Sequence, residues 1–268
     1  VAPHVLARHD RLGYLAGDDA DRAADLQAAW CDPGVAAIMC ARGGYGVARM
    51  LDHLDWEALA GAAPTALLGS SDVTALHLAV GTRLGVVSYF GPMPAGRLLS
   101  GTDGADPATV AGLYEALCGT DRLVLTGPHA RPLVPGAATG VTSGGTLSLL
   151  AAALGTGDLR PATGSIVLLE DVTEAPYRVD RMLTSLLRAG WFTGVAGIAL
   201  GSWERCGEGV HDVLAERLSP LGVPVLAGLA VGHDAPQLTL PLGVPARLDA
   251  DAGTLTVGPD PSLAPGSV

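Results

Sequence analysis

The chain has 268 residues, 49% hydrophobic and 16% charged, which is the composition of one or two folded globular domains rather than of a disordered chain. A net charge of −11, with no lysine and no run of arginines, excludes the basic patch of a nucleic-acid binder and argues against an anionic membrane surface as partner. The scattered cysteines, Cys31, Cys40, Cys118 and Cys206, form neither a zinc pattern nor a disulfide framework, and no apolar run is long enough to span a bilayer.

In chain order, residues 1–6 read as a strand. Residues 18–30 carry acids in the first turn and Ala, Leu and Trp on one face, a helix stopped by Asp32-Pro33-Gly34. Residues 35–41 are an apolar strand ending in Arg42-Gly43-Gly44-Tyr45-Gly46, after which a helix starts at Val47. Residues 65–68 form the next strand. Gly69 permits a tight turn, and Val73, Leu76 and Val80 give the following helix its apolar face. Residues 85–90 make a third strand, and residues 106–117 a helix with Asp106 as N-cap and Pro107 in the first turn. Strand, turn and helix repeating in this way predict a parallel α/β sheet that binds ligands at the carboxyl ends of its strands.

From residue 121 to 140 Pro and Gly become frequent. This predicts an N-terminal domain over 1–120, a linker over 121–140 and a C-terminal domain over 141–268. In the second domain, 146–154 reads as helix, 165–169 as a strand ending in Glu170-Asp171, and 177–189 as amphipathic helix. A strand over 195–200, a helix over 211–218 and a strand over 223–226 follow, the last broken by Gly232-His233-Asp234. The alternating tail, 237–242, 246–249 and 254–257, predicts an antiparallel meander.

Ser71, Glu170 and His233 thus sit at the ends of apolar strands. A serine on a strand-to-helix turn is pushed out of the sheet, with free helix N–H groups behind it for a developing oxyanion. A histidine is the side chain suited to activate it, and a carboxylate orients that histidine. The order Ser, Glu, His is one that builds a triad, although Val73 stands where the G-x-S-x-G spelling has its last glycine. The residues alone leave two readings open: a nucleophile elbow, or Ser70, Ser71 or Asp72 simply capping the helix.

The motifs Arg42-Gly43-Gly44-Tyr45-Gly46, Gly69-Ser70-Ser71-Asp72-Val73-Thr74, Gly91-Pro92-Met93, Leu169-Glu170-Asp171 with Glu174-Ala175-Pro176-Tyr177-Arg178, and Gly232-His233 occur together and in order. Together they resemble the LD-carboxypeptidases, serine peptidases that include the microcin-immunity (MccF-like) proteins. The resemblance implies a flavodoxin-like N-terminal domain and a swivelling β/α C-terminal domain with the site between them. It makes Ser71 the nucleophile, Glu170 the acid and His233 the base, and gives the oxyanion hole to the N–H groups of Asp72 and Gly44. Read from the residues, Arg42 is a candidate for a substrate carboxylate or equally a pin for the glycine turn, and Arg178 is such a candidate or a structural ion-pair partner. The resemblance further implies a muropeptide substrate losing its terminal D-Ala, no metal or other cofactor, no nucleic-acid or membrane partner, a homodimer and a cytoplasmic setting.

Two departures stand out. Thr146 occupies the Asn position of the family's G-G-N-L, and a βα unit of about forty residues is expected before the segment that matches Val1, which predicts unpaired backbone in the first sheet. Two rivals remain beside the muropeptide reading. One is a microcin-type peptidase, which needs an aromatic such as Trp203 to stack on a nucleotide base; the other is a non-catalytic ligand-binding remnant of the fold.

Overall fold

The computed structural model describes residues 1–102, 104–119 and 122–258. The first half forms α1 (Asp19–Cys31), β1 (Ala37–Met39), α2 (Val47–Met50), α3 (Trp56–Gly61), β2 (Ala66–Gly69), α4 (Thr74–Arg83), β3 (Ser88–Phe90), α5 (Arg97–Ser100) and α6 (Pro107–Cys118). Two of the helices begin at side-chain caps. Asp55 accepts the N–H groups of Glu57 and Ala58 at α3, and Asp106 accepts that of Thr109 at α6, with Pro107 in the first turn. On α1 the residues Ala23, Leu26 and Trp30 share the buried face, and the Trp30 indole donates to the Leu59 carbonyl at 3.2 Å.

The second half forms β4 (Leu123–Leu125), β5 (Arg131–Val134), β6 (Ala137–Thr146), α7 (Leu147–Ala152), β7 (Ser165–Val172), α8 (Pro176–Arg188), β8 (Gly197–Glu204), α9 (Val210–Leu218), β9 (Val225–Ala227), β10 (Leu240–Leu242), β11 (Pro245–Asp249) and β12 (Thr254–Val257). The strands make a four-stranded sheet, β1-β2-β3-β10, and an eight-stranded sheet, β4-β12-β11-β6-β7-β8-β9-β5. Pairing is parallel from β1 to β3 and from β6 to β9, as the strand–helix rhythm predicts.

Strand β7 is the spine of the larger sheet. Its apolar run is buried on both faces, the signature of a central parallel strand. Ile166 and Leu168 face a cluster with Phe90, Leu240 and Leu255, while Val167 and Leu169 face α7, α8 and α9 through Leu147, Leu183 and Leu214. The cluster holding Phe90 and Leu240 joins residues of the small sheet to the face of the large one, so the two sheets share a core.

Three expectations change. Residues 1–6 form no strand and residues 3–6 are turns, because the segment lies against α1: the His4 N–H and imidazole both bond the Asp25 carboxylate at 2.9 Å. Residues 122–140, read as a linker, contain β4, β5 and the start of β6; Thr120 and Asp121, where the boundary was placed, lie outside the described residues, as does the tail from 259. The prolines and glycines there do not interrupt the sheet. Pro132 sits in β5, an edge strand, at a register shift, where a missing N–H is tolerated. The tail is only partly a meander. Strands β11 and β12 pair with each other, whereas β10 pairs antiparallel with β3 in the other sheet. Pro241 again fits an edge, and its carbonyl accepts the Thr142 hydroxyl of β6 at 2.8 Å. Among the described residues no helix is long and apolar enough to cross a membrane.

Leu168 has no exposed surface and lies in the shared core. Leu168→Ala is expected to lower stability by about 2–5 kcal/mol. Replacing the exposed Tyr114 by Ala is expected to change it by no more than about 0.5 kcal/mol. Urea unfolding of the two variants checks this.

Candidate active site

Strand β2 ends at Gly69, and the chain turns over Ser70 and Ser71 into one turn of 3₁₀ helix (Ser71–Val73) that runs on into α4. Ser70 is extended and buried, and its hydroxyl receives the Gln237 amide at 3.3 Å. Ser71 is half-buried and holds φ at +60°, in the left-handed region that an L-residue adopts at a cost of about 1–3 kcal/mol. Neither serine caps the helix: no side-chain cap bond is made at the start of the 3₁₀ turn or of α4. The capping reading holds only for Asp72, and for a different helix. Its buried carboxylate accepts the N–H of Val47, the first residue of α2, at 2.8 Å. Burial raises the Asp72 pKa, while that N–H and the Arg22 charge pull it back.

That bond fixes the Arg42–Gly46 turn beside the serine. A Cβ on Gly43 would lie 2.8 Å from the Ser71 Cβ and 3.1 Å from its Oγ, so Gly43 is the glycine in contact with the hydroxyl. Gly44, the expected donor, is one residue further on at φ +126°. Arg42 is exposed on the same turn, and Tyr45 packs edge-on against Tyr14 at 5.9 Å between centroids.

Glu170 is fully buried within β7 rather than past its end. One carboxylate oxygen meets His233 Nδ1 at 2.7 Å; the other accepts the Thr146 hydroxyl. The Thr146 N–H in turn donates to the Thr74 hydroxyl of α4 at 3.2 Å. His233 is held by its backbone as well: its N–H donates to Ser202 Oγ at 2.7 Å, and Arg97 donates to its carbonyl at 2.9 Å. At Gly232, φ is +133° and a Cβ would stand 2.3 Å from Ser202 Oγ and 2.8 Å from the Glu170 carboxylate, so only glycine fits. Burial disfavours a charged His233 imidazole. The Glu170 hydrogen bond, with the charges of Glu170, Asp171 and Glu204, outweighs burial and raises the pKa above 6.5. With Nδ1 committed to Glu170, Nε2 is the nitrogen left to take a proton.

Asp171 is pushed up to about 6 by burial and by Glu170 beside it, and its carboxylate accepts the N–H groups of Ser148 and Val172 at 2.8 Å. Arg178 lies over the Tyr177 ring, bonds its hydroxyl at 3.2 Å and stands 3.6 Å from Glu174. Trp203 is buried in the core cluster with Leu200 and Val210, and presents no free stacking face. His77 of α4 is buried between the Ser88 hydroxyl and the Gly69 carbonyl, and burial pushes its pKa down to about 4. Gly43, Thr146, Ser202, Arg97 and Gln237 were not singled out as site residues from motif spacing. Of these, only the Gly43-Gly44 pair and the unusual Thr146 carried a local signal. Among the described residues no group of three or more His, Cys, Asp or Glu is placed to hold a metal ion.

Comparison with known proteins bears on this geometry. The family model described as the LD-carboxypeptidase N-terminal domain matches residues 1–91, and that of the LD-carboxypeptidase C-terminal domain matches residues 139–248. A provisionally named carboxypeptidase of Streptomyces coelicolor is 55% identical over 269 residues, covering 99% of this chain and 86% of that protein. The murein tetrapeptide carboxypeptidase of Pseudomonas aeruginosa is 33% identical over 262 residues, covering 92% and 82%. Among solved structures, a muramoyltetrapeptide carboxypeptidase from Oxalobacter formigenes superposes with a TM-score of 0.81 at 29% identity, covering 95% of this chain and 87% of that one. An MccF-like protein from Bacillus anthracis gives a TM-score of 0.81 at 25% identity, covering 92% and 83%.

In Gly43→Ala the new methyl displaces the hydroxyl, and labelling of Ser71 by a fluorophosphonate is expected to slow by about 100-fold. Mass spectrometry of the labelled peptide over time measures it.

Proposed function

Because the chain belongs to the LD-carboxypeptidase family of serine-type peptidases, we propose that it removes the terminal D-Ala from murein tetrapeptides by a Ser71–His233–Glu170 triad. The observation that carries the reading is the 2.7 Å bond between His233 and a fully buried Glu170, linked through Thr146 to the helix that Ser71 opens. His233 Nε2 takes the Ser71 proton as Oγ attacks the carbonyl of the L-centre of the diamino acid. The oxyanion lies against the N–H groups of Asp72 and of the Arg42–Gly46 turn, at Gly44. The C–N bond to D-Ala breaks, and its amine leaves with the proton from His233. Water, deprotonated by the same nitrogen, then cleaves the acyl-enzyme.

Arg42, exposed on the turn that touches Ser71, is the better placed cation for the terminal carboxylate. Arg178 is already engaged with Tyr177 and Glu174, so its part is to order that segment. The buried Trp203 gives no support to a nucleotide-stacking substrate, and the intact acid–histidine pair disfavours a non-catalytic remnant. The reading also places the protein in the cytoplasm, in murein recycling, as a homodimer of two domains that swivel about the site.

The test is release of D-Ala from the tetrapeptide L-alanyl-γ-D-glutamyl-meso-diaminopimelyl-D-alanine. Ser71→Ala is expected to abolish turnover while Ser70→Ala keeps much of it; a dead Ser70 variant beside an active Ser71 variant contradicts the assignment. The pH profile carries a sign. His233 must be neutral to act as base, and its raised pKa keeps it protonated longer as pH climbs. The acid limb of kcat/KM is therefore expected to have its midpoint above 6.5, and a midpoint at or below 6.5 contradicts the Glu170–His233 coupling.

A further inference from the structure

Thr146 is the last residue of β6, and in the parallel register it lies directly beside Glu170 of β7. Thr146, Thr74 and Glu170 are all buried, at 2%, 0% and 0% exposure. Glu170 has two carboxylate oxygens and two side-chain partners: His233 on one, the Thr146 hydroxyl on the other. With Thr146 deleted, the second oxygen loses its donor in a dry site and the carboxylate is free to rotate away from Nδ1. The same residue reaches the N-terminal half of the chain, since its N–H donates to the Thr74 hydroxyl, three residues past Ser71 on the helix that follows it.

We propose that Thr146 is a positioning residue: its hydroxyl orients Glu170, and through it His233, while its backbone ties that pair to the helix behind Ser71. The inference rests on the triad reading given above. Thr146 acts through Glu170 and does not meet the substrate, so its loss lowers kcat and spares KM. The charged groups around the imidazole set the pH effect. These are Glu170 and Asp171 on β7, Glu204 at the end of β8, Asp234 beside His233, and Arg97 on α5, which lies 3.2 Å from Glu204 and 3.8 Å from Asp234. The Thr146 hydroxyl points the positive end of its dipole at Glu170. Without it the carboxylate turns away from Nδ1, the coupling that raises the imidazole pKa weakens against burial, and the acid limb moves to lower pH.

The experiment compares Thr146→Val, Thr146→Ser and the unaltered chain on the tetrapeptide. Rates are expressed per active site titrated with a fluorophosphonate, so that misfolded molecules do not count. Thr146→Val is expected to lower kcat by about 10- to 100-fold, with KM within about twofold and the acid limb displaced to lower pH. Thr146→Ser, which keeps the hydroxyl, is expected to restore most of the rate and the original limb. If Thr146→Val yields no titratable sites, Thr146→Ala against Thr146→Ser makes the same comparison. An unchanged kcat, an unmoved acid limb, or equal impairment in the Val and Ser variants overturns the proposal. Ser71→Ala is run beside them. Turnover surviving in that variant defeats the triad reading itself, whereas its loss together with an unaffected Thr146→Val defeats only the positioning role.

Discussion

A carboxylate with no exposed surface, Glu170, sets the terms for the rest of the site. Removing an ion of that kind from water costs several kcal/mol, and only hydrogen bonds from fixed donors offset it. Thr146 and His233 supply them from the neighbouring strand and from the loop after β9. The backbone makes room for both. A side chain at position 232 would collide with the carboxylate itself, and the loop bearing His233 can close on β7 because a glycine stands there. His233 is therefore held from three directions, by Glu170 at its ring, Ser202 at its N–H and Arg97 at its carbonyl.

The second constraint is that this pair must stay in register with a serine carried by another sheet. The structure meets it with covalent crossing as well as contact. Strand β10, from the C-terminal half of the chain, is the fourth strand of the small sheet, and Gln237 just before it bonds Ser70. On the other side Arg83 of α4 makes a two-point pair with Asp158, which follows α7, and Thr82 donates to the Asp158 carbonyl at 2.8 Å. The Arg83 side chain is partly exposed, so solvent screening keeps that pair modest in energy. Its use is geometric: it pins the far end of α4, while the Thr74–Thr146 bond pins the near end.

Much of this was legible in the residues. Apolar runs of strand length gave β1, β2, β3, β7, β8 and β9, and Asp106 with Pro107 gave α6 its start, whereas only the family resemblance separated Ser71 from Ser70 as the candidate. Other features turned on contacts between distant parts of the chain. Residues 237–242 alternate as any half-buried strand does, and nothing local says which sheet accepts them. Pro132 reads as a linker residue until a sheet edge is supplied for it. Thr146 meets Thr74 and Glu170 across 72 and 24 residues, and Gln237 meets Ser70 across 167. Spacing in sequence carries no trace of such pairs. Residues 1–6 differ in another way: they read as a strand, but the segment is fixed by Asp25 of α1 rather than by a strand partner.

The left-handed backbone of Ser71 ties these observations together. A φ of +60° at a serine costs free energy that the local sequence does not return, so the surroundings must hold it there. They do so from both sides. Ser70, immediately before it, is buried and bonded to Gln237, and Asp72, immediately after it, is buried and bonded to the N–H of Val47. With its neighbours fixed in this way, Ser71 is the residue forced to absorb the turn, and its side chain is the one left half-buried against Gly43. Asp72 thus contributes through its carboxylate to the shape of the turn, and the proposed reaction assigns its N–H to the oxyanion. One residue then serves two ends with two different groups, and the side chain that first reads as a helix cap is what holds the serine in its strained conformation.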